Sequence, residues 1–150
     1  MNNPAELAKI TKIISSLEKK RKLKPISVIP SIESAQGVVN TYEIAKSSKR
    51  IPAVVFGVFD LLNDLGIEYT KQAQGAQYSR AKIPVDAKAA GVLAIDGIWQ
   101  DLQDIAGLRE DCLAGKRLGY SGKSIIHPDQ IQHAHELYAP NKSEIGRAHV

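Results

Sequence analysis

At 150 residues with 43% hydrophobic and 24% charged content, the chain is long enough to bury one ordinary domain core and has the composition of a globular protein. Twenty basic against sixteen acidic residues give a net charge of +4 and a pI near 9.2. Much of the excess is the run Lys19, Lys20, Arg21, Lys22 and Lys24, which carries no interleaved aromatic on which bases could stack and so reads as a solvated helix end, not a nucleic-acid footprint.

Asn3 before Pro4, with Glu6 three residues on, is a helix start, and Leu7, Ile10, Ile14 and Leu17 mark an apolar face on a helix over Pro4–Lys20. Pro25 closes it off. Four apolar strand candidates follow, Ile26–Ile32, Ala53–Gly57, Val92–Ile95 and Lys123–Ile126. Each leads into a helical pattern, over Ala35–Ser47, Tyr78–Ala90, Asp101–Leu118 and Pro128–Tyr138. A helix between the second strand and Tyr78 is read only as an alternative, beginning near Leu61. Successive strand starts lie 27, 39 and 31 residues apart, the spacing of βα units with parallel strands. The strands are continuous apolar runs, as in sheets buried on both faces. The fold class expected is α/β, a partial TIM (β/α)8 barrel of about four βα units over residues 1–143.

Half a barrel leaves two strand edges and an interior face uncovered. The isolated chain is therefore expected to be inactive and poorly soluble. Glu144–Val150 back-translates into a common sequencing-adapter sequence and is read as a non-native tail, outside the fold. Met1 is compatible with an internal methionine of a longer protein. The single cysteine, Cys112, excludes a disulfide framework or thiolate cage and reads as helix packing. No stretch approaches the ~20 apolar residues of a membrane span, and Met1-Asn2-Asn3-Pro4 lacks a secretory leader pattern. A cytoplasmic location with no membrane partner is expected.

Two segments carry the chemistry. Ile29–Gly37 and Phe56–Gly66 each run from an apolar strand-like stretch into an acidic residue. A carboxylate at the C-terminal end of each of two barrel strands presents oxygen ligands to a hard cation, which makes Glu33 and Asp60 the candidate metal pair. The same spacing also fits two helix N-terminal acids, Glu33 ahead of a helix from Ala35 and Asp60 ahead of one from Leu61.

The ordered series Ile32-Glu33-Ser34-Ala35-Gln36-Gly37, Glu43-Ile44-Ala45, Phe56-Gly57 with Asp60-Leu61 and Asp64-Leu65-Gly66, Ala89–Gly97, and Gly119–Ile131 with its Gly-Lys-x-x-Ile-His-Pro block resembles the citrate lyase beta-subunit-like family of CoA ester lyases, in the HpcH/HpaI aldolase/citrate lyase superfamily. The resemblance runs from about residue 25 to 143. It implies a TIM barrel entered about halfway along, Mg²⁺ held at Glu33 and Asp60, substrate contacts at Gly57 and Phe59, and a homo-oligomer when full length. Val58-Phe59 departs from it, since relatives commonly carry a small residue and a second acid there. The function implied is a Mg²⁺-dependent lyase that cleaves a 3-hydroxyacyl-CoA ester of the citramalyl-, malyl- or citryl-CoA type to acetyl-CoA and a 2-oxo acid. Alternatives are a metal-dependent 2-keto acid aldolase without CoA and a catalytically silent fragment or structural subunit.

Other polar residues read as structural. Asp96 in Ala94-Ile95-Asp96-Gly97 reads as a turn residue bonding nearby amides, and Asp64 as a support for the loop after the Asp60 strand. Gly122-Lys123-Ser124 ends like a Walker A motif, but Arg117 stands where glycine is required and the segment precedes its strand. Lys123 is expected to stabilise the last strand, with a CoA phosphate contact as the alternative. His133 and His135 are two apart and point to different sides of a helix, so they form no metal face. Trp99 and Tyr120 read as packing residues.

Overall fold

The computed structural model describes residues 1–71 and 73–140. The expected tail over Glu144–Val150 lies outside the described residues. Among the described residues, seven helices and four strands follow in the order α1 (Pro4–Arg21), β1 (Ser31–Ile32), α2 (Ala35–Val39), α3 (Thr41–Lys46), β2 (Ala53–Phe56), α4 (Val58–Leu65), α5 (Gln77–Ala89), β3 (Leu93–Asp96), α6 (Ile105–Leu118), β4 (Gly122–Lys123) and α7 (Gln130–Tyr138). A short 3₁₀ turn over Gln74–Ala76 precedes α5.

The four strands are parallel and pair in chain order, β1-β2-β3-β4. A doubly wound sheet reverses direction partway; a barrel does not. The fold is therefore the partial (β/α)8 barrel expected. Register aligns Ser31 with Val55, Val55 with Ile95 and Ile95 with Gly122. Side chains alternate across the sheet. Ile32, Val54, Phe56 and Ala94 point to the helices and join a core with Ile44, Leu61, Leu62, Ile83 and Ala87. Leu93, on the opposite face, is 54% exposed. Continuous apolar runs predict burial on both faces, whereas the helices among the described residues cover one.

The first expected strand is shorter than its apolar run. Pro30 lacks an N–H and β1 is an edge strand, so only Ser31–Ile32 make a regular ladder, although Val28 N–H donates to Arg50 O at 2.9 Å and Val55 N–H to Pro30 O at 3.0 Å. The helix expected over Ala35–Ser47 breaks at Asn40. There the Thr41 hydroxyl takes the Gly37 and Val38 carbonyls, both at 3.0 Å, and Lys82 Nζ donates to Val38 O at 2.9 Å, which ends the α2 ladder. The Asn3 side chain caps α1 as expected, accepting from Glu6 N–H at 3.1 Å. The expected apolar face is seated only at Leu7, with Ile10 and Leu17 exposed; α1 packs against α3. The basic run closes α1, with Lys19, Lys20 and Arg21 in its last turn near the negative end of the helix dipole.

Pro84 lies inside α5 and deprives the Arg80 carbonyl of its i+4 donor. The buried Tyr120 hydroxyl replaces it, donating to Arg80 O at 2.8 Å. Burial pushes the phenol's pKa upward, so it stays a donor. Tyr120→Phe should cost about 1–3 kcal/mol by stranding a buried carbonyl, and the cost should shrink in a Pro84→Ala background, where residue 84 regains its N–H. Urea unfolding of the four-member cycle in the full-length protein measures this. Equal cost in both backgrounds would refute the replacement.

Candidate functional site

Alternation puts Ser31 and Glu33 on the same face of the sheet at its C-terminal rim. The Ser31 hydroxyl donates to Glu33 Oε1 at 2.6 Å. On the next strand, Gly57 N–H donates to Ile32 O at 3.0 Å, which sets Gly57 beside Glu33. A β-carbon built on Gly57 would collide with Glu33 Cγ and lie 2.8 Å from Oε1. Glycine is needed there because the Glu33 side chain lies across it.

The chain turns at Gly57 straight into α4, a helix the sequence reading held only as an alternative starting near Leu61. Asp60 falls in its first turn and is exposed. Among the described residues its carboxylate takes no hydrogen-bond or ion-pair partner. Phe59 packs on Tyr69 with ring centroids 4.6 Å apart at 33°. Glu33, Gly57, Phe59 and Asp60 line one hollow of about 280 Å³, together with Ser31, Val55, Ile98 and Ser124. The structure thus brings all four expected site residues to one place.

The helix-cap alternative has other occupants. Ser34 caps α2, its hydroxyl accepting from Gly37 N–H at 3.0 Å, while Ala35 N–H donates to Asp64 Oδ2 at 2.8 Å. Asp64 therefore ties the loop of one acid to the helix carrying the other. The α4 N-cap is Gly57, with no side-chain cap bond. Two carboxylates not engaged as caps, facing one hollow and offering only oxygen donors, fit a hard divalent cation that keeps further positions for water or substrate. Among the described residues, no group of three or more His, Cys, Asp or Glu side chains is placed to hold a metal ion.

Beside this hollow lies a cluster that the sequence reading did not anticipate. Asp96 and Lys123 are paired in register across β3 and β4, and the side chain of each is 1% exposed. Arg80, from α5, donates through Nε to Asp96 Oδ1 at 3.0 Å and through Nη2 to Oδ2. Its Nη1 reaches Asp111 Oδ1, from α6, at 2.8 Å. Burial would lower the Arg80 pKa, but the bonds to Asp96 and Asp111 outweigh it and hold the guanidinium above its ordinary value. Lys123 Nζ bonds Asp111 Oδ2 and, at 2.6 Å, the Gly97 carbonyl. Asp96 does accept the adjacent Gly97 N–H at 2.9 Å, as its turn reading expects, but its main partner is Arg80. Lys123 stabilises its strand as expected; a buried ammonium with its protons engaged is not available to a CoA phosphate.

The remaining residues are structural. Cys112 is buried with Trp99 and Leu108, and Trp99 Nε1–H donates to Asp104 O at 3.1 Å. Arg109 Nη1 lies 3.4 Å from His133 Nδ1, and His127 Nδ1 accepts from Asp129 N–H at 3.3 Å. No helix among the described residues is long and apolar enough to cross a membrane.

A chain-ordered parallel sheet, with helices on one face and carboxylates at the C-terminal rim, defines a TIM-barrel-type protein. The HpcH/HpaI aldolase/citrate lyase family profile matches residues 1–128, and the chain belongs to that family. It is 33% identical over 154 residues to the mitochondrial citramalyl-CoA lyase of Homo sapiens, covering 97% of this chain and 45% of that protein. It is 33% identical over 141 residues to the citrate lyase subunit beta of Escherichia coli K12, covering 93% and 47%. Among solved structures, the citrate lyase beta subunit of M. tuberculosis complexed with oxaloacetate and magnesium superposes with a TM-score of 0.75 at 28% identity, covering 93% of this chain and 59% of that one. The chain thus spans about half the length of the curated relatives it matches.

Asp96→Asn leaves the four donors that meet its carboxylate around one amide oxygen, and a cationic excess in the cluster. It should destabilise the full-length protein by about 3–5 kcal/mol in chemical unfolding. A cost below about 1 kcal/mol, the range of exposed pairs, would mean that the cluster is solvated.

Proposed function

We propose that the chain is the half of a CoA ester lyase barrel that carries its metal site, and that the full-length protein cleaves a 3-hydroxyacyl-CoA ester to acetyl-CoA and a 2-oxo acid. The observation that carries this reading is the pair Glu33 and Asp60, two carboxylates facing one rim hollow with neither spent as a helix cap. Support comes from relatives whose names give citramalyl-CoA lyase and citrate lyase activities, and from a solved relative holding oxaloacetate, a 2-oxo acid, with magnesium.

In this reading Glu33 and Asp60 hold Mg²⁺, which when bound supplies a template and Lewis acid for oxygens at the reacting carbons. The residues of the chain shape what surrounds it. Ser31 anchors one oxygen of Glu33 and fixes the carboxylate's direction. Gly57 leaves the space that Glu33 crosses, so no side chain there competes with substrate. Phe59, stacked on Tyr69, forms an apolar wall, and Val58 and Ile98 help exclude water from the hollow. Gly57 and Phe59 are the substrate-contacting positions of this reading.

In the full-length protein, Glu33→Gln and Asp60→Asn should each abolish most Mg²⁺-dependent turnover with the fold intact. Size is kept, while a neutral amide is a poorer ligand for a hard dication. Assays with citramalyl-, malyl- and citryl-CoA against free hydroxy-oxo acids separate a CoA ester lyase from an aldolase that needs no CoA. Near-normal turnover by either carboxamide variant at limiting Mg²⁺ would remove that residue from the metal site. The 150-residue chain produced alone should show no turnover, since half of the rim is missing.

A further inference from the structure

The Gly97 peptide is pinned from both sides. Asp96 Oδ1 accepts its N–H at 2.9 Å, and the Lys123 ammonium donates to its carbonyl at 2.6 Å. An ammonium has three protons. Those of Lys123 face Gly97 O, Asp111 Oδ2 and, at 3.5 Å, Asp96 Oδ2. On its other side Gly97 has no side chain to cushion it. A β-carbon built there would lie 3.2 Å from Phe56 O, 3.3 Å from Val58 Cγ1 and 3.4 Å from Phe56 Cδ1. Phe56 and Val58 are buried and flank Gly57, the turn that seats Glu33 and launches α4 with Asp60. Lys123 on β4 thus bonds Gly97 after β3, the space beside Gly97 is closed by Phe56 and Val58 on either side of Gly57 after β2, and the Glu33 side chain after β1 lies across Gly57.

We propose that Lys123 is a positioning residue for the carboxylate site, acting through Gly97. It touches neither metal nor substrate; it fixes the backbone against which the Gly57 turn rests. The inference rests on the reading of Glu33 and Asp60 as the metal-holding pair. Its chemistry is separate from that reading, because Arg80, Asp96, Asp111 and Lys123 do not line the 280 Å³ hollow.

The test is Mn²⁺ binding by the full-length protein, followed by electron paramagnetic resonance, with thermal melting and circular dichroism recorded on the same samples. Lys123→Met alone leaves an anionic excess in the cluster and destabilises the fold. The informative variants are the pair Lys123→Met with Asp111→Asn, which removes one charge of each sign and keeps Arg80 on Asp96, and Gly97→Ala, which spares the cluster and presses on Phe56 O. Each should weaken Mn²⁺ binding by about tenfold, as loss of outer supports does at metal sites, with the circular dichroism spectrum retained. Wild-type Mn²⁺ affinity in both, with only the melting temperature lowered, would make the cluster purely structural and overturn the inference. Glu33→Gln and Asp60→Asn are the controls. If they also bind Mn²⁺ as wild type does, the metal reading itself fails and the inference falls with it; if they alone lose affinity, only the positioning role fails.

Discussion

Everything in this chain follows from a parallel sheet whose helices cover one face, so that the two-residue period of each strand decides what a side chain may be. Residues turned toward the helices must be apolar or fully paired, as Ile32, Val54, Phe56 and Ala94 are apolar. On the other face Ser31, Val55, Ile95 and Leu93 meet no covering layer among the described residues and are not buried, and only the small Ala53 is. Glu33 follows Ile32 and so falls on that second face, at the rim. A carboxylate there remains hydrated, whereas one residue earlier it would have replaced Ile32 in the core at a cost of several kcal/mol. The position of the acid and its availability are set by the same alternation.

The helix-facing row changes character at its β3–β4 end, where Asp96 and Lys123 take the place of apolar residues. Removing ions from water costs several kcal/mol each even after relaxation, which is why the pair does not stand alone. Arg80 from α5 and Asp111 from α6 bring the cluster to two charges of each sign. Arg80 meets Asp96 with two parallel bonds, a geometry lysine cannot supply. The cluster binds two strands and two helices with directional bonds, where apolar contacts alone would have tolerated sliding. Tyr120 extends the arrangement by closing the gap that Pro84 opens at Arg80's own carbonyl.

The architecture was legible in the sequence because strand and helix patterns recur in order, and the four βα units stand where that recurrence puts them. Glu33, Gly57, Phe59 and Asp60 were legible as a group because each lies within four residues of a strand end, where a parallel barrel gathers its loops. What escaped depended on contacts far apart along the chain. Arg80 reads as an ordinary helix-surface cation, and Asp111 as one of two adjacent acids on α6. A signal was nonetheless present: the alternation that buries Phe56 and Ala94 also buries Asp96, and a buried carboxylate requires a cation. The break at Asn40 escaped for a similar reason, since its cause is a lysine 42 residues later, Lys82, reaching the Val38 carbonyl. Helix α4 was read only as an alternative because Gly57 and an acid looked like the end of a strand, when they also form the first turn of a helix.

The two rim acids are kept available by different means. Asp60 occupies the first turn of α4 and makes no side-chain cap bond there. Glu33 does not cap α2, whose start Ser34 and Asp64 serve. Its support is one hydroxyl, from Ser31, on one of its two oxygens, and its seat is the bare backbone of Gly57. A larger residue at position 57 would displace Glu33 and disturb the start of α4 together, moving both acids. The glycine is the point at which the two otherwise independent supports meet, and it joins them because it has no side chain.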